Sequence, residues 1–285
     1  MKDFITIQND ILKVTIALKG AQIRNLTDGS KEYIWQADEK IWGNSAPVLF
    51  PICGRLNNNY YLYDGRRYDM EIHGFARKST FAVEYEDIEG VTLLLVSNEG
   101  TRRVYPFKFE FRVVFKLHGQ SLHVTYSVKN TGDGSMYFSF GGHEGYACPQ
   151  GVEEYTLSFP EDTVLTRYML RNGFLYGDTE DIRLQNHCLP LRYSEFEKCT
   201  YLFQNLKSQS VILSEKNGDR SIKVDFEGFP ALALWTLQDR KYLCIEPWCG
   251  ISEQENAESR LEEKQGMNCL GSGETFSRTH TITIL

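Results

Sequence analysis

The stretch that decides the fold reads Phe109-Glu110-Phe111-Arg112-Val113-Val114-Phe115-Lys116-Leu117, then His118-Gly119-Gln120, then Ser121-Leu122-His123-Val124-Thr125-Tyr126-Ser127-Val128-Lys129. Apolar side chains recur at every second position on both sides of a glycine turn. That period belongs to strands half-buried against a core, because successive side chains of a strand point to opposite faces. The pair therefore reads as a β-hairpin, closed at Gly119.

The same period continues outward. Residues 11–18 alternate and close on Lys19-Gly20, residues 221–227 follow the turn Asn217-Gly218-Asp219, and residues 279–285 alternate throughout. Roughly fifteen strand-like runs with turn signals between them predict a large antiparallel sandwich. Helix is scarce. Residues 252–265 form the one polar stretch of helix-forming composition, with only Ala257 and Leu261 apolar, and they read as a surface excursion. No linker, charge block or repeat divides the chain, so residues 1–285 are expected to form one all-β domain.

Composition bounds the function. Lysine plus arginine is 31 against 38 acidic residues, a formal charge of -7, which argues against nucleic acid or an anionic membrane as partner. The longest apolar runs, 91–96 and 229–237, are about half a membrane span. The first residues carry no signal-peptide core, so a soluble, cytoplasmic protein is expected. Seven cysteines form no Cys-x-x-Cys pair, which favours reduced thiols over a zinc knuckle or disulfide framework. Aromatic residues make up 13 %, enough to fill a large core and also to line a pocket that stacks on flat ligand faces.

Four segments interrupt the strand pattern. In residues 46–57 an apolar run bracketed by Pro47, Pro51 and Gly54 ends in Arg55, whose guanidinium can fork onto sugar hydroxyls or a carboxylate, or form a structural salt bridge. His73 precedes Gly74, where a sharp turn can aim an imidazole into a confined space, although a lone histidine is more often structural. His143 and Glu144 sit among Gly141, Gly142 and Gly145, a costly bend that suits aiming a side chain. Glu246 ends an apolar run and is followed by Pro247, expected to stop the ladder, and by Trp248. Desolvation there would raise the acidity constant of Glu246 and make it a usable base; a solvated strand-end carboxylate is the alternative. No nucleophile elbow, phosphate loop, dinucleotide fingerprint or His-Glu-x-x-His motif is present. Carboxylate, histidines, arginine and aromatics together suit proton transfer on a polyhydroxylated substrate.

These segments also carry a resemblance. Trp35-Gln36-Ala37-Asp38, Trp42 and Pro47-Val48-Leu49-Phe50-Pro51-Ile52-Cys53-Gly54-Arg55-Leu56 resemble the aldose 1-epimerase (mutarotase) family, in the branch typified by the lactose-operon X protein. His73-Gly74-Phe75-Ala76-Arg77, Gly141-Gly142-His143, Leu234-Trp235-Thr236 and Glu246-Pro247-Trp248-Cys249-Gly250 continue it in the same order. The resemblance implies a β-supersandwich and the interconversion of α and β anomers of a free hexose or related sugar, without metal or organic cofactor. Glu246 would be the general base at the C1 hydroxyl and His143 the general acid at the ring oxygen. Arg55, His73, Glu144 and Trp235 are the expected substrate-binding residues. Ordinary acidity constants, about 4.3 for Glu and 6.5 for His, would ionise the base and partly protonate the acid near neutral pH. Two departures stand out. Glu144 occupies a position where this branch usually has proline, and Lys198 or Cys199 stands where the family's substrate-binding aspartate is expected. Two other functions remain open: a sugar-binding protein with little turnover, and a glycoside hydrolase pairing Glu246 with Glu144.

Overall fold

The computed structural model describes residues 2–285. The deciding hairpin forms as strands Phe109–His118 and Ser121–Asn130, paired antiparallel from Phe109↔Asn130 to His118↔Ser121. Gly119 adopts φ 56, as the first position of a type I′ or II′ turn requires. Phe109, Phe111, Val113, Phe115 and Leu117 point inward with Leu122, Val124, Tyr126 and Val128. Each such burial contributes roughly 1.5–3 kcal/mol before conformational entropy is subtracted.

The hairpin sits inside a nine-stranded sheet that also holds Ala82–Glu86, Gly90–Val96, Tyr155–Ser158, Cys188–Pro190, Ser210–Glu215, Ser221–Asp225 and Thr275–Ile284. A seven-stranded sheet orders Phe140–Gly141, Tyr242–Cys249, Ala231–Trp235, Tyr201–Gln204, Val164–Arg171 and Phe174–Arg183, with Glu144–Ala147 also paired to Tyr242–Cys249. Both sheets feed one apolar cluster, and rings from each meet there, as Phe111 meets Phe140 at 6.4 Å between centroids. A three-stranded sheet (Phe4–Gln8, Lys13–Ala17, Gln22–Thr27) and two short ribbons complete the set. The sequence pattern misses the shortest strands, such as Phe140–Gly141 and Asn268–Leu270, because two or three residues cannot display a period.

Two local expectations are corrected. Residues 252–265 form no helix; the two α-helices among the described residues, Glu99–Val104 and Tyr193–Lys198, lie elsewhere. Nor is the segment a surface excursion, since Ser252, Glu253, Ser259, Leu261 and Lys264 are buried. The Glu253 carboxylate explains its shape: Oε2 accepts from Asn57 N–H at 2.6 Å, from the Asn57 amide at 2.8 Å and from the Ser259 hydroxyl at 2.6 Å. Tertiary contacts of this strength override a weak helix propensity. Pro247 likewise does not end its strand, which runs on to Cys249 with Pro247 opposite Leu232.

No helix among the described residues is long and apolar enough to cross a membrane. All seven cysteines are free; Cys53, Cys148, Cys244 and Cys249 are buried, whereas Cys269 is exposed.

Candidate active site

The site is built on one face of the seven-stranded sheet. Along Tyr242–Cys249, alternation puts Tyr242, Cys244, Glu246 and Trp248 on that face. On the neighbouring strand Glu246 lies opposite Ala233 and Trp248 opposite Ala231. These small partners leave space above the carboxylate.

The position of His143 follows from register. Gly141 pairs with Trp248 and Glu144 with Ile245, so His143 falls across from Glu246. Pro247 has no N–H to give, and the ladder is interrupted there; the Pro247 carbonyl accepts from Gly142 N–H at 3.1 Å. The cross-strand pair brings His143 Nε2 to 3.4 Å from Glu246 Oε2. Trp42 and Trp235 flank the imidazole with centroids 5.1 and 5.7 Å away. Trp42 reaches it by lying on Gly145, where a Cβ would come within 2.7 Å of the indole.

His73 closes the opposite side, 5.5 Å from the His143 ring and 5.6 Å from the Trp248 ring. It takes φ 63, in the left-handed region, and Gly74 follows at φ 71. A Cβ on Gly74 would meet the Phe50 carbonyl oxygen at 2.2 Å. The strain is held by two bonds to Gly54: the backbone N–H of His73 donates to its carbonyl, and Nδ1 accepts from its N–H at 3.1 Å. With Nδ1 as acceptor, Nε2 carries the ring hydrogen and is a donor. Arg55, half-buried, is anchored by its carbonyl, which accepts from Glu253 N–H at 3.1 Å.

Together Arg55, His73, His143, Trp235 and Glu246 line a cavity of about 520 Å³. Leu170, Asn172, Thr200, Trp248 and Ser252 complete its main walls. Asn172 and Thr200 escape the sequence reading. Asn172-Gly173 is a legible hairpin-turn signal between Val164–Arg171 and Phe174–Arg183, but nothing in the sequence tells which cavity that turn overhangs.

Glu144 is the site residue that lies elsewhere. It shares the inward face with Ile245, one step from Glu246 but on the other side of the sheet. Its Oε1 lies 3.3 Å from the Tyr126 hydroxyl, which donates to it, and 3.4 Å from His280 Nε2, all between the two large sheets. A pair of carboxylates flanking one glycosidic bond is therefore not formed, which overturns the hydrolase pairing of Glu246 with Glu144. Neither Lys198 nor Cys199 lines the cavity: the Lys198 amine lies 2.6 Å from Glu195, and the Cys199 carbonyl accepts from Arg167. Thr200 is the member of that segment in the cavity wall, and Glu246 is the wall's lone carboxylate among the described residues.

Burial pushes the acidity of the site residues away from their ordinary values, and in opposite directions for Glu246 and the histidines. It lifts Glu246 well above the usual carboxylate range; the Glu144 charge adds to the rise and the Trp248 N–H opposes it. Burial also pushes His143 down to about 4 against the opposing pull of Glu144, and holds His73 well below its ordinary value. Both shifts oppose the states that unperturbed values imply: burial favours neutral imidazoles and a protonated Glu246, so the proton of the pair is drawn toward the carboxylate.

Comparison with known proteins decides the family. The aldose 1-epimerase family model matches residues 3–282. The chain is 31 % identical to Protein LacX, plasmid, of Lactococcus lactis subsp. lactis over 296 residues, covering 99 % of each. This chain belongs to the aldose 1-epimerase family. Its fold agrees with that of a galactose mutarotase related enzyme from Lactobacillus acidophilus, with TM-score 0.93 and 34 % identity over 99 % of this chain and 97 % of that one. A galactose mutarotase-like protein from Lactobacillus casei ATCC 334 superposes at TM-score 0.93 and 27 % identity, over 99 % of this chain and 100 % of that one. The expected mutarotase-like supersandwich is therefore the fold. Within this epimerase family, the chain is of the LacX-like branch.

Proposed function

We propose that the protein is an isomerase that interconverts the α and β anomers of a free hexose or related aldose at the His143–Glu246 pair. The observation that carries the reading is this buried pair, 3.4 Å apart, at the wall of a cavity large enough for a sugar. In the working cycle the pair shares one proton, and sugar entry redistributes it. A C1 hydroxyl donating to Glu246 favours the carboxylate, and a ring oxygen accepting from His143 favours the imidazolium. Glu246 then takes the C1 hydroxyl proton while His143 delivers its proton to the ring oxygen, and the C1–O5 bond breaks to give the open aldehyde. Rotation about C1–C2 presents the other carbonyl face. Closure runs the transfers backwards, with O5 losing its proton to His143 and O1 gaining one from Glu246. Protons balance over the cycle, and no group outside the pair is consumed.

The remaining walls bind and orient. The His73 Nε2–H, the Arg55 guanidinium and the Asn172 amide supply hydroxyl partners, and Trp235 and Trp248 supply faces for the C–H side of a pyranose. The experiment is anomer exchange of freshly dissolved α-glucose and α-galactose, followed by proton NMR. Wild type is expected to accelerate it, and Glu246→Gln to lose most of that acceleration, about 10²–10⁴-fold for a general acid–base group. Full activity in Glu246→Gln would sink the assignment.

A second reading, sugar binding with little turnover, is favoured by one observation: Glu246 is the cavity wall's lone carboxylate among the described residues, with no aspartate beside Lys198 and Cys199 where the family's substrate-binding aspartate is expected. Calorimetric sugar binding without exchange faster than buffer would establish it.

A further inference from the structure

Cys244 is the group on the site face that the sugar chemistry leaves unused. It stands two residues before Glu246 on the same strand face, opposite Trp235, and is fully buried. One ligand atom from each of His143, Cys244 and Glu246 can be chosen so that all lie within 4.8 Å of one another. Their oxygen and nitrogen members are already 3.4 Å apart. Tetrahedral zinc, with bonds of about 2.0–2.3 Å, holds its ligand atoms roughly 3.3–3.8 Å apart, so a side-chain shift of about 1 Å closes the set.

A separate observation points to a ligand. Glu246 is 1 % exposed, yet its Oε2 has no hydrogen-bond partner, and the same oxygen faces His143 Nε2. A buried carboxylate oxygen without a donor is costly unless something binds it. The donor set of one thiolate, one imidazole and one carboxylate belongs to zinc-like cations rather than to magnesium or calcium, which take oxygen ligands. His143 and Glu246 border the cavity, which gives an ion a way in and leaves a fourth position for water or a sugar hydroxyl.

We propose that His143, Cys244 and Glu246 form a binding site for one soft divalent cation of the zinc type, and that an ion held there blocks sugar turnover by occupying both members of the proton-transfer pair. The inhibitory half rests on the epimerase reading; the binding half does not. Sequence spacing hides such a site because its ligands come from one strand and from the break between two others, with no Cys-x-x-Cys or His-x-x-x-His pattern.

The test is titration of the full chain with Co²⁺, whose thiolate complexes absorb by charge transfer. Wild type is expected to show this absorption, saturating at one ion per chain. Cys244→Ser should lose it, whereas Cys269→Ser, which removes the exposed thiol, should keep it. Absorption that survives Cys244→Ser, or that disappears with Cys269→Ser, overturns the site. Should Cys244→Ser fail to fold, Glu246→Gln carries the decision: it is expected to bind Co²⁺ at least about tenfold more weakly, and unchanged affinity overturns the site. Stoichiometric Zn²⁺ should then stop anomer exchange in wild type, with recovery on adding a chelator. Co²⁺ binding as described, with exchange unaffected by Zn²⁺, overturns the inhibitory half alone; a protein without exchange activity still has its site decided by the spectrum.

Discussion

Glu144 and Glu246 are separated by one step of a ladder, and that step puts them in different worlds. Glu246 faces the cavity, whereas Glu144 faces Tyr126 and His280 from the nine-stranded sheet, buried to 2 % exposure. Its negative charge still acts through the sheet, raising both Glu246 and His143. The pH profile of exchange should reflect this. Below about 4 His143 takes a second proton and the pair has no base; above the raised Glu246 value the last proton leaves and the pair has no acid. The acid limb is therefore expected near pH 4 rather than near 6.5. Removing the charge with Glu144→Gln should move both limbs to lower pH, because a nearby anion favours the protonated forms. Profiles of the variant and wild type that superimpose would show that Glu144 does not set the acidity of the pair. In the sequence, His143 and Glu246 are legible as candidates, and the structure brings them together at one cavity wall. The face on which Glu144 falls is not legible, because it depends on a one-residue register that only the paired strand fixes.

At the scale of elements, the segment that composition assigns to helix proves to be the brace for Arg55. Glu253 holds Asn57 and Ser259 through its carboxylate, and its backbone N–H holds the Arg55 carbonyl. Replacing Glu253 by alanine strands buried donors, each costing about 1–3 kcal/mol. The expected outcome is a loss of about 2–4 kcal/mol in urea unfolding, together with a raised KM and a smaller change in kcat, if Arg55 has the proposed role of binding sugar without transferring protons. A kcat loss as large as that of Glu246→Gln would contradict this division of labour. The long alternating strands were readable because their pattern is local. Residues 252–265 were not, because their shape is imposed by partners near residue 57, almost two hundred positions away. Pro247 was misread for the opposite reason: its local meaning is to break a ladder, and it does so on one edge only, leaving the bond to the other neighbour's register intact.

Across the whole molecule, the buried histidines of the site should tie stability to pH. His73 and His143 are held below their unfolded value of 6.5, so the folded state prefers them neutral. The stability they contribute is present above pH 6.5 and is lost as pH falls through the window, down to about 4 for His143. In His73→Gln one of these two terms is gone. Its unfolding free energy should fall less steeply between pH 6.5 and 4, by up to about 1.4 kcal/mol per pH unit. Urea unfolding series at stepped pH measure this, and parallel slopes for variant and wild type would refute it. The sandwich itself was predictable from period and turns. The order of its strands was not, since neighbours in the nine-stranded sheet such as Ser121–Asn130 and Thr275–Ile284 come from distant parts of the chain.

That last pairing bears on how the protein is made. Thr275–Ile284 lies in the interior of its sheet, between Ser221–Asp225 and Ser121–Asn130. A ribosome delivers the flanking strands first and must leave the slot between them open until this one emerges. In that interval both flanking strands expose unpaired edges, the hazard that draws nascent chains into wrong partnerships. The latecomer also brings His280, the residue that faces Glu144 beneath the site. The contact beneath the His143–Glu246 pair is thus completed only after every other strand of that sheet has been made, and a chain arrested before Thr275 would lack the residue that faces Glu144.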